Sequence, residues 1–361
     1  MHAVYHICMK WTKLKFSNNE VNRAGDALIS MISNSSEKDT AADILSNWRS
    51  AHSFPLHTFA IRLKKLATRV DDDALVVRRL KRTPSIIKKL NRDQTSKMKM
   101  SRMQDVAGTR AVLKGIKEVQ EVLELYRKSR GTKHKLHKLK DYIKEPKNDG
   151  YRSVHLVYKY SSDKNLEYDG LSVEIQIRTK LQHFWATAVE TVDHFTRQAI
   201  KSNEGEKDWI DFFRLVGSVF AIAENMPTVP NTPHDKKELY TAVDVLTKKL
   251  DVIKKMNEWA RIHRIIEGFE KENPKKYDYY LLDLDLTTKE LKINGFTKDQ
   301  EELANSEYSK KEERMLRNKE DKDIVLVSAE TTKELRKAYP NYFLDTKEFI
   351  QALRDCLDDT L

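Results

Sequence analysis

Two acidic residues, Asp105 and Glu174, stand among arginines and lysines in three blocks of the chain between residues 98 and 179. The blocks read MKMSRMQDVAGTRAVL, DYIKEPKNDGYRSVH and LSVEIQIRT. Carboxylate oxygens suit a hard divalent cation, and a polyphosphate needs cations and oriented donors around it. These residue types therefore indicate chemistry in which phosphoryl groups move with the help of a metal ion.

The elements that carry these residues can be predicted from their periodicity. In LSVEIQIRT polar and apolar residues alternate, so that Glu174, Gln176 and Arg178 share one face. SVHLVYKY alternates in the same way, and VAGTRAVL is short and rich in β-branched residues. LQHFWATAVETVDHF has its apolar residues at helical spacing. We therefore expect strands with one packed face and one polar face, next to a helix.

Elsewhere the patterns predict further elements. Residues 1–97 are predicted to be mainly helical, and SRGTKHKLHKLKDYIKEPKNDGY is predicted to be a highly charged loop. FFRLVGSVFAIA predicts a buried helix that is too short to span a bilayer. After MPTVPNTPHD the composition shifts. There, YDYYLLDLDL and KELKINGF predict a hairpin, and DIVLVSA predicts a strand in a small C-terminal α+β domain.

Length, net charge and cysteine positions limit the kinds of protein and of functional site that this chain can represent. With 361 residues two domains are expected, and the net charge of +11 suits polyphosphate or RNA. Cys8 and Cys356 lie at opposite ends of the chain, which excludes a cysteine zinc cluster and fits a reducing cytoplasm. The first residues show no signal peptide, and we expect no membrane association. No GxxxxGK[ST] sequence occurs, so a nucleotide site here would not be a P-loop.

Residues 48–195 resemble the synthetase domain of the RelA/SpoT family. The resemblance rests on RLKRTPSI, MQDVAGTRAV, YIKEPKNDGYRSVH and VEIQIRT followed by QHFWA, in that order. It implies an α+β fold with a nucleotidyltransferase-like mixed β-sheet flanked by helices. We expect this domain with its N-terminal helices over 1–229, connecting helices over 230–272 and a C-terminal domain over 273–361.

The family resemblance implies a pyrophosphokinase that moves the β,γ-diphosphate of ATP to a ribose 3′-hydroxyl. By similarity, Asp105 and Glu174 hold Mg²⁺, and Glu174 also accepts the hydroxyl proton. The residues implied to bind ATP are Arg79, Lys81, Lys89 and Arg110. The candidates for binding the acceptor are Tyr151, His155, Gln176, Lys144, Lys147 and Arg152.

Each of these residues also has a plainer interpretation. Asp105 alone resembles a helix cap or turn residue, and Tyr151 could be an ordinary turn aromatic. The basic run over 127–147 is equally compatible with a solvated face and with contacts to a phosphate backbone. The shared family order favours the functional interpretation of Asp105, Glu174 and Tyr151.

Two acceptors remain open. GTP or GDP would make the protein an alarmone synthetase, whereas the 3′-terminal adenosine of tRNA would make it a toxin that blocks translation. Family members that bind GTP commonly have Asn-Gly-Tyr in the acceptor loop, where this chain has Asp149, Gly150 and Tyr151. The missing Asn and the surrounding basic residues favour tRNA. A non-catalytic RNA-binding regulator is a third possibility.

The C-terminal domain has no catalytic signature. With the synthetase domain it resembles the fused toxin–antitoxin proteins of the CapRel type, which act in anti-phage defence. That resemblance implies a metal-free, zinc-finger-like domain that restrains the enzyme until a phage capsid protein binds. The implied blocking residues are Tyr339 and Tyr342; Tyr277 and Tyr280 share their spacing but lie in a strand-like segment. The oligomeric state is not indicated by the sequence.

Overall fold

The computed structural model describes most of the chain. The described ranges are residues 11–30, 35–92, 98–128, 133–196, 205–260, 277–285, 287–288, 290–318, 320–329, 335 and 346–358.

Eleven helices of the described ranges surround one sheet. They are α1 (Asn18–Ile29), α2 (Ser35–Ala51), α3 (Ser53–Val70), α4 (Thr83–Arg92), α5 (Ile116–Arg127), α6 (Lys180–Thr196), α7 (Lys207–Ala223), α8 (Lys236–Lys249), α9 (Val252–Ala260), α10 (Glu301–Asn318) and α11 (Lys347–Leu357). Short 3₁₀ turns lie at Met100–Arg102, Leu166–Tyr168 and Lys298–Gln300. The helical N-terminal region that periodicity predicts is confirmed in α1 to α3.

The eight strands form a single mixed sheet in the order β3-β4-β5-β2-β1-β8-β6-β7. They are β1 (Leu75–Leu80), β2 (Ala107–Leu113), β3 (Lys135–Asp141), β4 (Val154–Lys159), β5 (Ser172–Thr179), β6 (Tyr279–Asp285), β7 (Leu291–Phe296) and β8 (Lys322–Ser328). β2 and β5 are parallel, and the other paired strands are antiparallel. This confirms a mixed α+β fold with helices on both sides of the sheet.

Each face of the sheet packs against a different set of helices. On one face, α3 and α5 bury the alternating apolar residues of β5 and β4, among them Ile175, Ile177 and Leu156. A second apolar cluster joins α6, α7, α8, α9 and α11, with Trp209, Phe212 and Phe349 inside it. The alternation in LSVEIQIRT is confirmed, because Val173, Ile175 and Ile177 are fully buried.

The C-terminal strands extend the same sheet. β8 pairs with β1 at two positions, Arg78 with Ser328 and Arg79 with Val327, and β6 and β7 continue outward from β8. The predicted hairpin is confirmed in β6 and β7, and the predicted strand in β8. α10 packs on β8 and β6, while α11 packs on α6 and α7. The division of the chain at residues 229 and 272 stays a prediction.

Two elements differ from the sequence-based expectation. Residues 135–141 form the edge strand β3, not a loop, and their lysines are largely exposed. Leu139 packs partly on the core, but a β-bulge between Leu136 and Lys138 breaks the alternation of apolar residues that would predict a strand. Lysines are typical of such edges. Residues 75–80 form β1, which was not predicted because its sequence, LVVRRL, leads directly into a helix. Within the described ranges, the helices all fall short of the length and apolarity that crossing a bilayer requires.

Candidate active site

Polar residues from four strands share the face of the sheet opposite to α3 and α5. Directly paired residues lie on the same face. Gly108 of β2 pairs with Glu174 of β5 and with Arg79 of β1. In the next row, Gln176 pairs with Arg110 of β2 and with His155 of β4. The parallel pairing of β2 with β5 therefore brings together residues that are more than sixty positions apart in sequence.

Asp105 lies two residues before β2 and forms the aspartate–lysine cluster with Lys81 and Lys89. The Nζ of Lys81 is 3.0 Å from Oδ2, and the Nζ of Lys89 is 2.9 Å from Oδ1. Burial alone would raise the pKa of Asp105, but the two ammonium groups outweigh it and hold the pKa below the ordinary value of an aspartate. Asp105 is therefore an ionised carboxylate between two cations, not a helix cap.

Glu174 is fixed at both of its carboxylate oxygens. Oε1 is 2.9 Å from Nδ1 of His155, and Oε2 accepts a hydrogen bond of 2.7 Å from Nε2 of Gln176. Burial and the nearby charge of Asp105 raise the pKa of Glu174, yet the hydrogen bonds and the His155 charge outweigh them and lower it. The side chain is thus an oriented, ionised carboxylate.

The contacts of Glu174 extend in two directions to form the glutamate–histidine chain, made of Tyr151, His155, Glu174, Gln176 and Arg110. Nε2 of His155 is 2.8 Å from the hydroxyl of Tyr151, and Nε of Arg110 donates to Oε1 of Gln176 over 3.3 Å. An ionised Glu174 accepts the Nδ1 proton of His155, and Nε2 of the same ring contacts the Tyr151 hydroxyl. Five residues that the family resemblance selects are therefore in one hydrogen-bonded series.

Aromatic rings surround the histidine of this chain. The ring of Tyr142 lies 5.3 Å from His155 and 6.1 Å from Tyr151, and Trp185 lies 6.3 Å from Tyr151. The Nζ of Lys147 is 4.6 Å from the ring centroid of Tyr142 and 5.0 Å from that of Tyr151. Burial raises the pKa of Tyr151, so its hydroxyl stays protonated and able to donate.

Gly150 fixes the loop that presents Tyr151. Its φ of +93° belongs to the left-handed region, and a Cβ there would lie 2.9 Å from the Phe213 carbonyl oxygen and 3.0 Å from the Trp185 ring. On α7, Gly217 makes room for the same loop, because a Cβ there would lie 2.9 Å from the Gly150 oxygen. Close contact with α7 thus determines where Tyr151 lies.

Asp149 has a local structural role. Its Oδ1 accepts a hydrogen bond of 2.8 Å from the backbone N–H of Tyr151. An asparagine oxygen makes the same turn contact, so the acidic residue preserves the loop geometry. The departure from Asn-Gly-Tyr therefore changes charge at this position more than it changes backbone shape.

Further guanidinium groups line the face. Arg178 is buried, and one of its terminal nitrogens contacts Nδ1 of His183. Burial, followed by the nearby charge of Arg110, lowers the pKa of Arg178 to about 9. Arg79 also contributes positive potential to Arg178. The face therefore offers a concentration of positive charge next to two carboxylates, which is the environment that a polyphosphate anion requires.

Some predicted site residues lie elsewhere. The side chain of Arg152 is buried and donates to the Ile143 carbonyl, and Lys144 lines a cavity beneath α5 with Gln120 and Arg127. Their predicted contacts with an acceptor stay predictions. Tyr339 and Tyr342 lie outside the described residues.

Sequence reasoning missed Tyr142 and Arg82. Tyr142 lies in the same loop as Tyr151, nine residues earlier, and its only signal in the sequence is that it is a second aromatic residue in a basic loop. Arg82 was missed because its partner, Asp323, belongs to a distant strand.

Asp105 and Glu174 have the chemistry of ligands for a magnesium ion. Asp105 and Glu174 are ionised oxygen donors that influence each other electrostatically. Within the described residues, no three or more His, Cys, Asp and Glu side chains gather closely enough to hold a metal by themselves. Mg²⁺ commonly takes one or two carboxylates and completes its shell with water and substrate phosphates. The residue set fits that pattern.

The segment that carries this site is similar to known proteins. Residues 78–196 match the family model described as a region found in RelA / SpoT proteins. The chain is 33% identical to the GTP pyrophosphokinase YjbM of Bacillus subtilis over 176 residues, 47% of this chain and 80% of that protein. It is also 33% identical to the GTP pyrophosphokinase YwaC of the same organism over 112 residues, 30% of this chain and about half (52%) of that protein.

The chain is also similar to solved structures of small alarmone synthetases. Small alarmone synthetase 1 of Bacillus subtilis, bound to its product pppGpp, is 25% identical with a TM-score of 0.41, covering 48% of this chain and 89% of that one. Small alarmone synthetase 2 of the same organism is 22% identical with a TM-score of 0.42, covering 50% of this chain and 94% of that one.

Proposed function

The chain belongs to the RelA/SpoT family of pyrophosphokinases, and from that membership we propose that it transfers the β,γ-diphosphate of ATP to a ribose 3′-hydroxyl. In this reaction the hydroxyl oxygen forms a bond to the β-phosphorus. The bond between that phosphorus and the oxygen bridging to the α-phosphate breaks, and AMP leaves. The observation that carries the proposal is the pair of ionised carboxylates, Asp105 and Glu174, beside lysines and arginines on one face.

The donor nucleotide is assigned to the end of the face that holds the aspartate–lysine cluster. Lys81 and Lys89 offer ammonium groups to phosphate oxygens, and the planar guanidinium groups of Arg79 and Arg110 can stack on an adenine. Asp105 and Glu174 would hold Mg²⁺, which when bound neutralises charge on the phosphates. The lysines that now contact Asp105 are then available to the transferred group.

Glu174 is the proposed general base. Its pKa lies below the ordinary glutamate value, so it is ionised at neutral pH and able to accept the proton of the attacking hydroxyl. The hydrogen bonds from His155 and Gln176 hold both oxygens in place, so the carboxylate needs little reorganisation before proton transfer. Acceptance of a proton by a positioned carboxylate contributes about a hundred- to ten-thousandfold in rate.

The first candidate acceptor is the 3′-terminal adenosine of tRNA. Tyr151 and Tyr142 can stack on the terminal base, and Lys147 lies above both rings. Beyond them, Lys138 and Lys140 of the exposed strand β3 pair with Val157 and His155, and therefore continue the same face. Positive charge that extends past a single nucleotide suits a longer phosphate backbone. Occupying the terminal hydroxyl would prevent aminoacylation and block translation in the cytoplasm.

GTP or GDP is the second candidate acceptor, favoured by the names of the relatives. YjbM and YwaC are both named GTP pyrophosphokinases, and one of the similar structures contains pppGpp. Both acceptors would receive the β,γ-diphosphate from ATP in the same way. They would differ only in the base that stacks on Tyr142 and Tyr151.

An acceptor assay separates these candidates. The protein is incubated with ATP labelled in its γ-phosphate, Mg²⁺ and either GTP, GDP or tRNA. We expect label on the 3′ end of tRNA, lost when the terminal adenosine is removed or its 3′-hydroxyl is oxidised. Label only in a guanosine tetra- or pentaphosphate would replace tRNA by the guanine nucleotides. Absence of AMP release with every acceptor would favour a non-catalytic RNA-binding regulator.

We also propose that the C-terminal domain, of the metal-free zinc-finger-like kind, restrains the enzyme until a phage capsid protein binds it. The supporting features are the CapRel-type arrangement of the chain and the Tyr339 and Tyr342 spacing. Replacing both tyrosines by alanine should make expression toxic without a trigger, while the matched pair Tyr339→Phe and Tyr342→Phe should keep restraint if stacking provides it. Harmless expression of a catalytically active alanine pair would contradict this role.

A further inference from the structure

Two carboxylates of the C-terminal segment reach the loop that joins β1 to α4. Asp323 of β8 forms an ion pair with Arg82. Oε1 of Glu312, on α10, accepts a hydrogen bond of 2.8 Å from the backbone N–H of Thr83, the first residue of α4. Both acids are almost completely buried, at 3% exposure for Glu312 and 4% for Asp323.

Neighbouring residues hold Glu312 in this position. The hydroxyl of Tyr308, one turn earlier on α10, donates to Oε1 of Glu312. The guanidinium of Arg49 lies 4.4 Å from the centroid of the Tyr308 ring, and its Nε donates to the carbonyl oxygen of Lys81 over 2.6 Å. The β1–α4 loop is thus enclosed by contacts from α2 and from the C-terminal segment.

Three carboxylates meet part of the positive charge around this loop. Asp105 contacts Lys81 and Lys89, Asp323 pairs with Arg82, and Glu312 accepts from the Thr83 N–H. Arg49 and Arg79 add two further cations nearby. The N-terminus of α4 adds further positive potential, which Glu312 meets at the Thr83 N–H. Two of the three negative charges therefore come from residues more than 220 positions away from the loop in sequence.

We propose that Glu312 and Asp323 determine how tightly the donor site binds a triphosphate, because they act as internal counter-anions at its phosphate-binding end. The inference rests on the proposed function, which assigns Lys81 and Lys89 to donor phosphates. A bound triphosphate brings several negative charges next to the same cations. The two carboxylates repel those charges and neutralise the loop, so the donor binds more weakly than the lysines and arginines alone would allow.

Triphosphate binding and the attachment of the C-terminal segment should affect each other reciprocally. If the carboxylates weaken triphosphate binding, then a bound triphosphate weakens the attachment of β8 and α10 to the loop by the same free energy. The pairing of β8 with β1 at only two positions makes that attachment a suitable place for such a response.

Binding of α,β-methylene ATP with Mg²⁺, and of inorganic tripolyphosphate, tests the inference by calorimetry at constant ionic strength. Glu312→Gln keeps an oxygen acceptor for the Thr83 N–H, and Asp323→Asn keeps the size of the side chain. Each should bind both probes roughly threefold to tenfold more tightly than the unaltered chain. Asp283→Asn is the matched control, because it removes the ion pair to Lys311 within the same segment and should leave affinity unchanged.

Hydrogen exchange of the unaltered protein gives a second test that needs no variant. Amides of β8 should exchange faster when tripolyphosphate is bound. Unchanged or weaker binding by both variants, or slower exchange in β8, would overturn the inference while leaving the donor site in place. Failure of every form to bind either probe would overturn the donor site itself, and this inference with it.

Discussion

The two ends of the candidate active site are built from different interactions. In the aspartate–lysine cluster, Asp105 lies between two ammonium groups. Beside this cluster, Arg82 forms an ion pair with Asp323 of the C-terminal segment. Along the glutamate–histidine chain, hydrogen bonds and ring edges fix the side chains, which come from β2, β4, β5 and the loop that carries Tyr151. Under the proposed function, donor affinity should therefore respond to charge, whereas catalysis and acceptor binding should respond to side-chain geometry.

Glu174→Gln should have the largest effect. The amide keeps the size of the side chain but cannot accept the proton of the attacking hydroxyl. We expect AMP release to fall about a hundred- to ten-thousandfold, with little change in the melting temperature. Glu121→Gln, at an exposed position of α5, is the control and should retain full activity. Near-normal turnover of Glu174→Gln would mean that another group takes the proton.

Acidification should destabilise the donor end through His52. This buried imidazole, near Arg49, has its pKa lowered to about 4 by burial, compared with about 6.5 when unfolded. The unfolded chain therefore binds a proton first as the pH falls. The contribution of the neutral His52 to the free energy of unfolding is fully present above pH 6.5. As the pH falls from about 6.5 to 4, the free energy of unfolding decreases by roughly 3 kcal/mol.

His52→Asn should reduce that loss. The amide can still donate to the Trp48 carbonyl, as Nδ1 of His52 does now over 2.7 Å, but it does not titrate. Urea unfolding of both proteins at several pH values measures the difference. Parallel stability curves over this range would show that His52 is not the group responsible.

Gly150→Ala should distort the acceptor end. The left-handed φ and the 2.9 Å distance from a Cβ to the Phe213 oxygen together should lower the free energy of unfolding by about 1–3 kcal/mol. The reason is that a Cβ cannot be accommodated without moving the loop. Gly170 has a similar φ of +84°, and a Cβ there would meet no heavy atom within 4 Å, so Gly170→Ala isolates the backbone contribution. Equal losses in the two variants would argue against the contact with α7.

Lys147→Met should have the smallest effect. The substitution keeps the aliphatic stem but removes the charge above Tyr142 and Tyr151, a contact worth about 0.5–1 kcal/mol at an exposed site. We expect a severalfold rise in the KM of the acceptor at unchanged kcat. Lys117→Met, at an exposed position of α5 on the opposite side of the sheet, should change neither. Equal effects of the two substitutions would indicate a general charge effect.

Sequence reasoning predicted local structure well. The alternation of β5 predicted the shared face of Glu174 and Gln176, and the family segments include Asp105 and Lys81, which the structure brings into contact. It failed for β3, where a β-bulge between Leu136 and Lys138 breaks the alternation of apolar residues.

Residue type and a period of two were enough to predict candidate catalytic side chains and the face of each strand on which they lie. The contacts between distant segments are visible only in the folded chain, where β2 lies beside β5, β8 lies beside β1, and Glu312 contacts the N–H of Thr83. Those contacts depend on the path of the chain between the segments. In the sequence, a glutamate that will be buried on α10 is indistinguishable from its solvated neighbours.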